Sequence, residues 1–150
     1  MGMVLIAVRL WAWAAVLRVL KHVVPMPSLV RLARREPGGA SAPRIVRAWL
    51  EPYLQSRRRF PFRAPANCLE RSLGAYRLLC EAGEDPELVV GVRRSNGGVE
   101  GHVWVTAAGK TWGERDEDLA TFTRIVTFDA SGRQRTAAGC EGTLAALRVR

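Results

Sequence analysis

Histidine and cysteine are scarce in this sequence: 150 residues hold two histidines, His22 and His102, and three cysteines, Cys68, Cys80 and Cys140. The cysteines form no Cys-x-x-Cys pair, and none has a histidine or second cysteine at zinc-ligand spacing. This excludes a structural zinc site and a disulfide scaffold, so neither metal nor cofactor is expected, and free thiols fit a reducing, cytoplasmic setting. There is no P-loop for a nucleotide and no internal repeat. An unbroken apolar run long enough to span a bilayer is missing too, because Arg9 and Arg18 interrupt the N-terminal stretch and no small-residue cleavage site follows it. An arginine at the bilayer centre would cost about 2.5 to 3.5 kcal/mol. That stretch reads as an apolar helix belonging to the core or to a partner interface, with membrane-surface contact the less favoured use.

Acidic residues are also few, 14 against 23 Lys and Arg, for a net charge of +9. The imbalance is local: residues 1–66 carry 12 basic and two acidic residues, whereas residues 67–150 carry 11 and 12. Such asymmetry points to an acidic partner. In Ser56–Pro65, aromatics lie between arginines, but no nucleic-acid-binding signature accompanies them, so nucleic acid is not the expected partner. Arg57, Arg58 and Arg59 are instead candidate contacts for a protein partner or substrate.

What is present suffices for a folded core, with 48% hydrophobic residues. Helices are expected over Val4–Val23, Ser28–Arg35 and Pro43 to about Gln55, with the Gly, Pro and Ser cluster of residues 36–43 as a linker. The resulting division is a helical docking region, 1–42, and a main domain, 43–150. A fourth helix begins at Cys68, with Asn67 as N-cap, Glu70 completing a capping box and Gly83 as the stop. After Gly83 the period shortens to two. Strands are expected at Pro86–Arg94, Val99–Ala107, around Trp112 and from Thr123, joined as an antiparallel meander in an α+β fold. A weak helix at best follows Glu141.

Cys68 at the first turn of a helix sits at the positive end of the macrodipole, which favours the nucleophilic thiolate. A thiolate needs a general base, and His102 on the second strand is the candidate, with His22 read as a surface residue. Alternation puts His102, Trp104 and Thr106 on one face of that strand and Val103 and Val105 on the other. The returning strand brings Glu114 beside His102 as the orienting carboxylate, with Asp116 in reserve if the strand slips. Cys80 and Cys140 read as small core hydrophobes.

The run from Asn67 to Glu114 resembles the transglutaminase-like cysteine proteases that remove leader peptides in bacterial lasso peptide biosynthesis. The likeness is carried by Cys68, Leu69, Arg71, Ser72, Leu73, Gly91, Val92, His102, Trp104 and Val105, and extends over about residues 43–130. It implies a transglutaminase/papain-like core, with a Cys-bearing helix buried against an antiparallel sheet. It also implies Cys68 as nucleophile, His102 as base and Glu114 as acidic member, although the family often has Asp at that last place. Trp104 joins the arginines as a candidate substrate or partner contact. The implied activity is cleavage of a lasso precursor through a thioester. The implied partners are a separate leader-recognition protein (a RiPP recognition element), the precursor peptide and an ATP-dependent macrolactam synthetase. Three alternatives stay open: a catalytically silent module of the same fold that binds the leader, transfer of the acyl group to an amine, and a basic membrane- or nucleic-acid-binding protein whose Cys and His are structural.

Overall fold

The computed structural model describes residues 2–38, 46–48, 50, 54 and 67–137. The remainder of the expected third helix, Arg57, Arg58, Arg59, Cys140 and the segment after Glu141 lie outside the described residues. Helices α1 (Gly2–Val23) and α2 (Met26–Ala33) open the chain, and α3 (Cys68–Glu81) follows. Then come β1 (Pro86–Ser95), β2 (Gly98–Ala107), β3 (Lys110–Trp112), the single turn α4 (Asp116–Leu119), β4 (Thr123–Phe128) and β5 (Gln134–Thr136).

Helix α3 starts where its capping residues dictate. Asn67 Oδ1 accepts from the Glu70 N–H at 2.9 Å, and the Glu70 carboxylate accepts from the Asn67 N–H at 3.3 Å. The helix ends before Gly83, whose φ of +75° only glycine adopts without strain. Leu69, Leu73, Tyr76 and Leu79 are buried, packing with Leu88, Val90, Val103 and Val105 of β1 and β2. Leu17 of α1, Leu29, Val30 and Ala33 of α2, and the helical residues Val46, Leu50 and Leu54 join this cluster.

Two ion pairs fix α1 antiparallel to α3: Arg9 to Glu81 at 2.8 Å and Lys21 to Glu70 at 2.8 Å. Part of the N-terminal basic excess is therefore spent inside the fold, and His22 is exposed as expected. Among the described residues no helix is long and apolar enough to cross a membrane.

The five antiparallel strands run β3-β2-β1-β4-β5, which corrects the expected meander. After β3 the chain crosses one face of the sheet through α4 and returns as β4 on the far side of β1. The crossing is driven by burial. Leu119 and Phe122 from the connection cover Val89 and Trp104, which face away from α3.

Candidate active site

The capped start of α3 holds Cys68 half-buried as its first residue. Glu70, almost wholly buried, ties this turn to α1 through Lys21, with Arg18 Nε 3.9 Å from its second oxygen. The thiol thus belongs to a turn held by a capping box and an ion pair.

His102 comes to it from β2, at a point where, among the described residues, no further strand pairs with that edge. Strand β3 pairs only with Val105–Ala107, so it leaves the backbone of Val103 to α3. Ser72 Oγ, one turn beyond Cys68, donates to the Val103 carbonyl at 2.8 Å, and the Val103 backbone is near enough to the Cys68 thiol to favour its thiolate. The Ser72 bond clamps the Cys helix onto the His strand. The imidazole is held from behind by Trp104, stacked at 6.1 Å between centroids, and by Phe122 at 5.3 Å. Gly91 makes room for this arrangement, because a Cβ there would lie 2.7 Å from the Trp104 ring.

Glu114 completes the group, by a route the strand pattern did not predict. Strand β3 stops at Trp112, and Gly113 turns the chain with φ +77° while packed against Leu54. Glu114 Oε1 then lies 3.5 Å from His102 Nε2. That separation exceeds a good hydrogen bond, so the carboxylate acts on the imidazole chiefly by its charge. The same oxygen accepts from Arg71 at 2.9 Å. Arg71 was overlooked as a site residue, although its spacing three residues after Cys68 puts it on the same helix face.

Burial by itself would raise the Cys68 thiol, but hydrogen bonds from His102 and the Val103 backbone and the imidazole charge outweigh it and bring the thiol below its ordinary value. His102 moves the opposite way. The bond to Cys68 lifts its proton affinity most, burial opposes, the Glu114 charge adds and Arg71 subtracts. Together these shifts favour a thiolate–imidazolium pair. Cys80 differs in kind, with its thiol pushed up chiefly by burial.

Asp116, the reserve carboxylate, opens α4 and is exposed, lining a cavity of about 650 Å³ with Trp104, Thr106, Leu119, Phe122 and Arg124. Trp104 is only 2% exposed. Among the described residues no cluster of His, Cys, Asp and Glu could hold a metal.

A thiol at a capped helix start beside an imidazole, with a carboxylate beyond it, has the parts that acyl transfer through a cysteine requires. The chain belongs to the transglutaminase-like superfamily, whose family profile matches residues 4–127. No curated protein and no solved structure matches it.

Proposed function

We propose that this protein is a cysteine peptidase that removes the leader from a lasso peptide precursor. Cys68 attacks the carbonyl at the leader/core junction, forming a C–S bond and a tetrahedral oxyanion near the N–H groups at the start of α3. Collapse breaks the C–N bond. His102 gives its proton to the departing core amine, and the leader remains on Cys68 as a thioester. Water, deprotonated by His102, then hydrolyses the thioester and returns the thiol. Glu114 stabilises the imidazolium throughout. The observation that supports this reading is that Cys68, at a capped helix start, lies beside His102, which in turn lies 3.5 Å from Glu114.

The leader itself would be delivered by a separate leader-recognition protein, and the freed core would pass to an ATP-dependent macrolactam synthetase. Val8, Val16, Val19 and Val23 support a docking face, since they are 47 to 72% exposed along one side of α1. Tethering the leader there would raise the local concentration of the scissile bond to about millimolar.

The test is incubation with a candidate precursor, with and without the leader-binding protein, followed by intact-mass analysis. Leader and core fragments whose masses sum to precursor plus water are expected, and Cys68→Ala should yield neither. An uncleaved precursor that still binds would instead identify a silent leader-binding module, and a leader carrying an added amine would identify acyl transfer.

A further inference from the structure

We propose that Arg71 is a positioning residue that fixes the Glu114 carboxylate against His102. Glu114 follows a glycine turn rather than lying in a strand, so no ladder holds it in place. Arg71 does what a strand would have done. It binds Oε1, the oxygen facing His102 Nε2, at 2.9 Å, from the rigid helix that also carries Cys68. Nucleophile and acidic partner are thereby referenced to one element. Stability alone does not account for the arginine, because its Nε is buried with no hydrogen-bond partner among the described residues, which costs about 1 to 3 kcal/mol. Buried ion pairs are in general poor sources of stability.

Among the described residues, few groups face His102. Cys68 and Arg71 come from α3 and Glu114 from the turn after β3. Farther out, Arg93 of β1 lies over the Phe122 ring and Arg124 of β4 over the Trp104 ring. Deleting Arg71 alone would remove a repulsion from the imidazolium and also release Glu114, two effects of opposite sign. Their coupling separates them.

The experiment is a double-mutant cycle read by NMR titration of the His102 ring, in a Cys68→Ala background because a thiol and imidazole in contact titrate jointly. His22→Gln leaves a single histidine signal. Glu114→Gln should lower the His102 midpoint while Arg71 is present, and this effect should largely vanish in Arg71→Met and return in Arg71→Lys. Equal effects of Glu114→Gln with and without Arg71 would overturn the inference, and the dispersion of the spectra reports that each variant is folded. With Cys68 and His22 restored, Arg71→Met should lower kcat on the order of 10- to 100-fold with KM unchanged. A kcat equal to that of the unaltered protein would overturn the inference too. It rests on the peptidase reading for this kinetic arm only. Coupling in the titration without any cleavage would uphold Arg71 and refute the peptidase.

Discussion

Replacing Ser72 with Ala tests whether the clamp between α3 and β2 is what assembles the site. Ser72 is 6% exposed, and its hydroxyl is the donor to the Val103 carbonyl on an edge that β3 does not reach. The substitution removes one oxygen and leaves that carbonyl without its donor, at a cost of about 1 to 3 kcal/mol. For a domain of this size each kcal/mol lowers Tm by roughly 2 to 4 °C, so a fall of roughly 2 to 12 °C is expected. Thermal denaturation followed by circular dichroism measures it, with Ser95→Ala at an exposed strand end as a control expected within about 0.5 kcal/mol. A second consequence is chemical. The Val103 backbone also helps hold the Cys68 thiol below its ordinary value, so Ser72→Ala should move the thiol back toward that value and slow its alkylation at mildly acid pH. Melting and alkylation both indistinguishable from the unaltered protein would refute the clamp.

Gly113→Ala should be costly, because a Cβ would sit 2.9 Å from that of Leu54 at a φ of +77°. Backbone strain of about 1 to 2 kcal/mol and overpacking of about 1 to 3 kcal/mol together predict a loss of about 2 to 5 kcal/mol, measurable by urea denaturation. Cys68→Ala should lower the His102 midpoint in an NMR titration, since the thiolate is the largest influence raising it; an unmoved midpoint would dissociate the pair. The activity profile should be bell-shaped. Its acid limb falls where Cys68 gains its proton, below the ordinary thiol value, and its alkaline limb where His102 loses its own, above the ordinary imidazole value.

The parts of this site that were legible in the sequence are those set by short-range rules. Asn67 and Glu70 announce a capping box, and period-two alternation separates His102 and Trp104 from Val103 and Val105. What escaped depends on pairs far apart in the chain. Strand β4 lies beside β1 because the crossing through α4 buries Leu119 and Phe122 over Trp104, and no local pattern encodes that choice. Glu114 was reached by extending a strand that in fact stops at Trp112; the turn at Gly113 delivers the same residue by another path. Arg71 stood within the matched motif, yet its partner is 43 residues away. Arg9 and Lys21 of α1 belong to the basic N-terminal excess, but their partners Glu81 and Glu70 lie far along the chain on α3, where composition does not point.

The central claim, that His102 activates Cys68, is tested most directly by alkylating the native protein with iodoacetamide near pH 6 and mapping the modified residues by mass spectrometry. Rapid modification of Cys68 is expected, with buried Cys80 left intact and the Cys68 rate falling sharply in His102→Ala. A Cys68 as inert as Cys80, or one whose rate is unchanged in His102→Ala, would contradict the account.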